Sequence, residues 1–398
     1  MDISLAQMNQ ECCGCGTCAT VCPVGAISMI PRELGCLYPQ IDSQKCIGCH
    51  ACQKVCAYGK AEQIRNEPLC AYAAVAEEDA LLQKSASGGV AAMLTRNVLD
   101  AGGIVYGCGL ETEGGCLKPK HIGIQSREEA EKLQGSKYVQ SDLGGIFPEI
   151  RQKLAQGKTV LFTGSPCQVD SLKRYLKDTD TARLYTVDLI CHGVPSAALF
   201  QGYLQQLGER ENGTVTHFSF RDKTDGWGLR ARYRLLRRNG TDKTVILAPG
   251  LSSYYTFFLE SEIYRESCYT CPYAGLARIG EITIGDFWGI AQEHPELLQE
   301  NGGALKERNG VSAMLVNSPK GKQLLEEFGA GLRLAESSPE KVTKWNSQLR
   351  KAAEHSALRN KLIGAWNQNG YKGIEKVFRK KLGIRYPVRL LKTRLHRR

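Results

Sequence analysis

Cys12-Cys13-Gly14-Cys15-Gly16-Thr17-Cys18-Ala19-Thr20-Val21-Cys22-Pro23 and Cys46-Ile47-Gly48-Cys49-His50-Ala51-Cys52-Gln53-Lys54-Val55-Cys56 are two copies of one pattern. Counted from Cys12 and from Cys46, each reads C-x2-C-x2-C-x3-C. Three closely spaced thiols wrap a short loop around one iron cubane, while the fourth sits past a turn and points away. This is the spacing that holds paired [4Fe–4S] clusters, the fourth cysteine of each run crossing to the other cluster. Cys12, Cys15, Cys18 and Cys56 are therefore expected on one cluster, and Cys46, Cys49, Cys52 and Cys22 on the other. Small residues in the loops (Gly14, Gly16, Gly48, Ala51) let backbone N–H groups approach the sulfurs.

Zinc is the first alternative, but zinc sites take four ligands in pairs, whereas eight cysteines here fall into two runs of four. Disulfides are the second, and they belong to short secreted chains. Pro23 closes the first run as in bacterial ferredoxins; Ala57 stands at that place after the second, which loosens a turn and removes no ligand. Two adjacent clusters make a single-electron relay, and a relay must feed something.

At 398 residues there is length for two or three domains in all, with ample chain for a core behind this head. With 42% hydrophobic and 23% charged residues, the composition is that of a soluble globular protein. The start, Met1-Asp2-Ile3-Ser4-Leu5-Ala6, has no basic and apolar signal regions, and no apolar run reaches the ~18 residues of a membrane span. Seventeen cysteines without such a signal point to a reducing compartment, so the cytoplasm is expected. The net charge of +11 is concentrated: residues 371–398 hold eleven Lys or Arg against Glu375 alone, leaving the rest about neutral. The body is thus no general polyanion binder, and no nucleic-acid partner is expected. In the tail, Ile374, Val377, Phe378 and Leu382 fall at helical spacing among cations, followed by Val388, Leu391 and Leu395. Such a basic amphipathic helix either lies on an anionic membrane surface, peripheral at its inner face, or packs its apolar side on the body.

The fold expected is α+β: a small bacterial-type 2[4Fe-4S] ferredoxin domain (1–62), a larger mixed α/β domain (70–300), a helical C-terminal region (301–370) and the basic tail (371–398). Residues 57–68 read as a linker. Strands are predicted near 71–76, 103–107, 121–125, 158–163, 184–190, 215–220, 230–236 and 243–248, with Asn239-Gly240 as a hairpin turn. Helices are predicted at 90–100, 127–134, 145–156, 167–177, 196–208, 319–329 and 340–366.

Four cysteines of the larger domain occupy turn-like places. Cys167 follows a strand and opens a helix, Cys191 ends a strand, and Cys268 and Cys271 form a C-x2-C pair. They suit a third metal site, while inert buried thiols, zinc and a thiol–disulfide pair remain open on spacing alone. Cys13, Cys36, Cys70, Cys108 and Cys116 follow no pattern and read as small apolar residues. Glycine turns at Ser87-Gly88-Gly89, Thr163-Gly164-Ser165 and Gly285-Asp286-Phe287-Trp288-Gly289 suit a phosphate or flavin, though most such turns are only turns. Neither G-x-G-x-x-G nor a P-loop is present.

Ser87-Gly88-Gly89-Val90, Gly135-Ser136-Lys137-Tyr138-Val139, Thr163-Gly164-Ser165-Pro166-Cys167-Gln168, Asp188-Leu189-Ile190-Cys191-His192-Gly193, Phe220-Arg221-Asp222-Lys223, Cys268-Tyr269-Thr270-Cys271 and Ile284-Gly285-Asp286-Phe287-Trp288-Gly289 occur in that order. Over roughly residues 70–300 the chain resembles the coenzyme F-420 hydrogenase/dehydrogenase beta-subunit family, with a dicluster ferredoxin in front. The resemblance implies a third [4Fe–4S] cluster on Cys167, Cys191, Cys268 and Cys271, and FAD contacted by Ser87, Gly88, Gly89, Lys137, Thr163, Gly164 and Ser165. It implies an iron–sulfur flavin-dependent oxidoreductase that exchanges electrons with a redox protein or a small-molecule acceptor. Members of the family reduce deazaflavin, chlorophyll derivatives or other acceptors, and many accompany polysaccharide genes. A non-catalytic electron-transfer or scaffold subunit is the alternative. His192, Asp286 and Lys223 are candidates for proton handling, and no catalytic residue is assigned.

Overall fold

Residues 11–58 and 65–383 are described by the computed structural model. One strand in from an edge of the main sheet is a run that is apolar on both faces: β3 (Cys70–Ala76) buries nearly every residue, as a strand covered on two sides must. Around it an eight-stranded sheet runs in the order β13-β3-β12-β11-β7-β6-β4-β5. The partners are β4 (Ile104–Glu113), β5 (Cys116–Ile124), β6 (Val160–Gly164), β7 (Leu184–Leu189), β11 (Ile282–Asp286), β12 (Ser312–Val316) and β13 (Leu332–Ser337). β4, β6, β7 and β11 pair parallel, with Val160 opposite Leu184 and Ile282 opposite Val187. β12 runs antiparallel between β11 and β3, so β3 points the same way as the parallel four. The carboxyl ends of these five strands share one edge, where open α/β sheets place their sites.

The helices Val90–Asp100 and Pro319–Phe328 cover one face with Val90, Leu94, Val98, Leu324 and Phe328, and Ile146–Ala155 and Pro166–Tyr175 cover the other with Phe147, Ile150 and Leu172. Beside the sheet stands an antiparallel ribbon of β8 (Gly213–Ser219), β9 (Ala231–Arg237) and β10 (Asp242–Leu247). β9 alternates buried Ala231, Tyr233 and Leu235 with exposed neighbours, the signature of one covered face. The predicted Asn239-Gly240 turn joins β9 to β10, with Gly240 at φ +80° where a side chain would be strained. An aromatic core of Phe200, Tyr203, Phe218, Tyr254, Tyr255 and Phe378 backs the ribbon.

The N-terminal region is a hairpin, β1 (Ile27–Pro31) against β2 (Leu37–Ile41), flanked by one-turn helices Thr17–Thr20 and Ala51–Lys54. Each helix holds the third cysteine of its run, Cys18 or Cys52, behind a left-handed residue, Gly16 or His50.

Three expectations are corrected. β11, β12 and β13 were not foreseen, and they carry the sheet to Ser337, so the boundary drawn at residue 300 falls inside it. The segment 340–366 is a short helix, Pro339–Trp345, then a break and a helix from Ala357; Asn369 and Gly370, with non-helical φ/ψ, kink it where the tail boundary was drawn, and a second helical stretch runs on to Leu382. That helix buries Ile374, Val377 and Phe378 in the aromatic core, with Leu382 packed against it, so no apolar face is left there for a membrane. Val388, Leu391 and Leu395 lie outside the described residues.

Candidate functional site

The two cysteine runs meet different surroundings. Cys12, Cys15, Cys18 and Cys56 line one apolar hollow together with Met29, Pro39 and Tyr58. The fourth cysteine of the second run thus faces the first three of the first run. Burial, then Cys15, Cys12 and Cys56, raise the Cys18 pKa, and burial with Cys15 and Cys12 raises Cys56 to about 11. Thiols so crowded release their protons to a metal. Gly14 N–H and Thr17 Oγ1–H donate to the Cys12 and Cys15 sulfurs at 3.3 and 3.2 Å. Among the described residues, no three His, Cys, Asp or Glu are gathered as tightly as one ion requires. Four thiols around a hollow fit the corners of a cubane, each iron taking one thiolate.

This hollow is clamped to the body. Arg265, 1% exposed, donates from Nη1 to the Cys12 carbonyl (2.9 Å), from Nη2 to the Leu37 carbonyl (2.6 Å) and from Nε to Gln140 Oε1 (3.0 Å). Its guanidinium also lies over the Tyr38 ring, 4.6 Å from the centroid. Gln140 Nε2 returns bonds to the Cys13 and Gly14 carbonyls. Gly14 has φ +67°, and an added Cβ would run into Arg265, so glycine is required twice over. Neither Arg265 nor Gln140 stood out in the sequence, because their partners are over a hundred residues away.

The second run faces out. Cys46 and Cys49 are exposed and Ile47 is 65% exposed. Cys52 lies within electrostatic reach of Cys49 and Cys46, and Cys22 Sγ accepts from Ala26 N–H at 3.2 Å.

The third set gathers at the carboxyl edge of the sheet. Cys268 lies within electrostatic reach of Cys191 and Cys271, and Tyr58 feels Cys167, Cys13, Cys271 and Cys268. Burial, then Cys271, pushes Cys191 up to about 11. Cys13, read as an ordinary apolar residue, is buried with its thiol in hydrogen-bond reach of both Cys15 and Cys167. It touches both the first run and the third set. Ala57 and Tyr58, read as linker, are packed in: Ala57 is buried, and Tyr58 packs edge-on against Tyr273 at 6.3 Å.

Two networks hold this edge. Arg278 donates to Asp188 Oδ1 (3.0 Å) and to the Leu189, Tyr273 and Gly275 carbonyls, joining the strand that leads to Cys191 to the loop after Cys271. His121, unmarked in sequence, is buried with Nε2–H on the Thr163 carbonyl (3.1 Å) and Nδ1 on Ser141 Oγ (2.7 Å), which in turn accepts from Gln168. Burial lowers the His121 pKa to about 4, so the ring is neutral at pH 7. Gln168 Oε1 accepts from Ser165 N–H, so the turn that presents Cys167 is pinned from both sides.

Next to Cys191 is a polar cluster. Arg221 grips Asp286 with two bonds (2.9 and 3.3 Å) and reaches the Tyr138 hydroxyl, and Trp227 Nε1–H also donates to Asp286 (2.9 Å). Asp286 is within electrostatic reach of His192 and of Lys223. Lys223 donates to the Leu82, Ser87 and Asn309 carbonyls, while burial and Arg221 push it down to about 7. The three residues singled out for proton handling are thus brought together.

The seven residues expected to touch a flavin are mostly engaged within the fold. Ser87 Oγ–H donates to the Val311 carbonyl, and Gly88 N–H to Ser312 Oγ. A Cβ at Gly88 would strike the Ala74 carbonyl, so that glycine serves strand packing, and Gly89, at φ +85°, starts a helix. Lys137 Nζ caps the Leu133 and Gln134 carbonyls, Thr163 accepts from His121, Gly164 packs on Phe162 and Gln168, and Ser165 closes a capping box with Gln168. They share the carboxyl edge of the sheet. Asp286 was expected in a glycine turn; it ends β11, and the turn is at Gly289, φ +76°.

Residues 11–60 match the 4Fe-4S dicluster domain, and residues 157–342 match the family described as the C terminus of the coenzyme F420 hydrogenase/dehydrogenase beta subunit. No curated protein matches the chain. Among solved structures, a chain of the xenon-derivatised F420-reducing [NiFe] hydrogenase complex from Methanosarcina barkeri is 17% identical, with 81% of this chain and 96% of that chain covered and a TM-score of 0.42. The chain thus joins a region that matches the 4Fe-4S dicluster domain to one that matches the C terminus of the coenzyme F420 hydrogenase/dehydrogenase beta subunit, and is an iron–sulfur electron-transfer protein related to that subunit.

Proposed function

We propose that the chain is an iron–sulfur flavoprotein oxidoreductase that carries single electrons from its dicluster region through Cys167, Cys191, Cys268 and Cys271 toward an organic acceptor. The observation that supports this is continuity: Cys13 touches Cys15 on one side and Cys167 on the other, and Cys191 adjoins the His192–Asp286 cluster. Cys12, Cys15, Cys18 and Cys56 would hold one [4Fe–4S] cluster, Cys46, Cys49, Cys52 and Cys22 a second, and the body set a third. Bound clusters supply one-electron transfer, and FAD, which the family resemblance implies, supplies conversion to electron pairs.

The residues around them do the rest. Arg265 and Gln140 hold the first run against the body; Arg278 and His121 fix the segments that carry Cys191 and Cys167. Arg221 holds Asp286 oriented beside His192. The exposed second run would receive a redox protein. No helix among the described residues is long and apolar enough to cross a membrane, and the cytoplasm is the compartment we propose.

A second reading has its own support. Because the side chains expected at a flavin are engaged elsewhere, the chain would serve as a carrier subunit without substrate chemistry. Flavin titration of anaerobically reconstituted protein, followed by reduction of a small acceptor, separates the two. One flavin per chain reduced through the clusters supports the oxidoreductase. Full iron loading with no flavin affinity leaves the carrier.

A further inference from the structure

Outside the cysteine sets the chain has an open cleft of about 610 Å³ between the loop at Trp227, the turn after β11 and the segment 299–309. That is the size of a small-ligand site. One wall is two indoles, Trp227 and Trp288, stacked at 4.8 Å and 12° from parallel. Both are half-buried: Trp227 packs in part against the core that holds Phe287 and Leu305, and both indoles line the cleft. The wall is also rigid: Trp227 Nε1 is bonded to Asp286 and its backbone N–H to the Arg308 carbonyl (2.7 Å), and Arg221 lies 6.0 Å from the Trp288 ring centre. Rigid aromatic platforms bind without first losing rotamer freedom.

The rim decides what such a platform holds. Glu300 and Glu307 face it with Lys306 and Arg308, and Gln299 and Asn309 add amides. Among the described residues, none of these four charged side chains is in an ion pair, while Asp225 is already paired with Arg230. Carboxylates equal to cations in number give a phosphate-bearing nucleotide or flavin no net attraction. A plain hydrocarbon would leave these polar groups without partners. A neutral ring rich in hydroxyls satisfies both walls. Its C–H face, weakly positive, lies on the negative face of an indole, and its hydroxyls donate to carboxylates and accept from amide and guanidinium N–H groups.

We infer that the Trp227–Trp288 cleft binds a neutral sugar ring, free or as part of a glycoside. The inference does not rest on the redox reading, since binding needs neither cluster nor electron. Asp286 nevertheless ties the two together, because the carboxylate that fixes Trp227 lies within electrostatic reach of His192, the residue after Cys191.

The test is isothermal titration of the full chain, without reductant, against methyl glycosides of glucose, galactose, mannose and N-acetylglucosamine, with FMN and ATP as anionic probes. At least one glycoside binds, and Trp288→Ala weakens it by about tenfold or more. Glu300→Gln, an exposed change that leaves the fold intact, weakens the same glycoside by about threefold or more. FMN and ATP show no binding that depends on Trp288. Failure of every glycoside to bind, binding unaffected by both variants, or Trp288-dependent binding of FMN or ATP would each overturn the inference. Iron content on the same samples reports separately on the redox reading.

Discussion

The two cysteine runs are nearly identical in spacing and opposite in surroundings. The first is sunk against the body, its carbonyls held by Arg265 and Gln140 and its hollow closed by Tyr58. The second carries exposed Cys46, Cys49 and Ile47. Spacing sets what a loop binds; packing sets what it communicates with. An exposed run is placed to meet a partner and a buried one to pass charge inward, which gives the relay a direction in space.

The largest effect that would break this contrast is at Arg265. Arg265→Ala leaves the Cys12 and Leu37 carbonyls and Gln140 without their buried donor, and should cost about 3–5 kcal/mol in urea unfolding, with early proteolysis between the head and the body. A loss below about 1 kcal/mol would mean that the head is not clamped.

Next comes pH, on the buried side alone. His121 has a folded pKa of about 4 against 6.5 unfolded, with Asp142 opposing the shift and Lys137 adding to it. The unfolded chain therefore binds the proton more readily, and stability present above pH 6.5 is lost as the pH falls toward 4, by about 3 kcal/mol. His121→Gln should flatten that slope in thermal melts from pH 4 to pH 7; an unchanged slope would remove His121 as its cause.

Iron chemistry sharpens the contrast further. Under a chelator, iron held by Cys46, Cys49 and Cys52 should leave about tenfold faster than iron held by the buried hollow. Single-phase release of all iron would argue that the two environments are alike. The smallest effect is at the exposed pair Asp42–Lys45, 3.5 Å apart. Lys45→Ala should change stability by no more than about 0.5 kcal/mol, and a larger loss would show that this side is also packed.

How much of this was legible follows from range. The eight head cysteines were readable because metal ligation sets spacing locally, and β3, β4, β6 and β7 because apolar β-branched and small runs mark buried strands. β11 hid behind Gly285, whose missing side chain admits Ile190, and β13 behind the half-exposed Leu332–Ser337. Cys13 looked idle, and only the fold brings Cys167 to it. Arg265, Gln140 and His121 act on partners far along the chain, and no local pattern encodes that. The tail's apolar stripe was visible, but amphipathicity does not say what covers it; Phe378 in the aromatic core does.

The most direct test of the central claim is iron and acid-labile sulfide on anaerobically reconstituted Cys56→Ala beside the intact chain. The account predicts loss of the buried cluster, about four irons, and of its signal in electron paramagnetic resonance, with the exposed cluster kept although Cys56 belongs to that cluster's run. Loss of the exposed cluster instead, or an intact chain free of iron and sulfide, would contradict it.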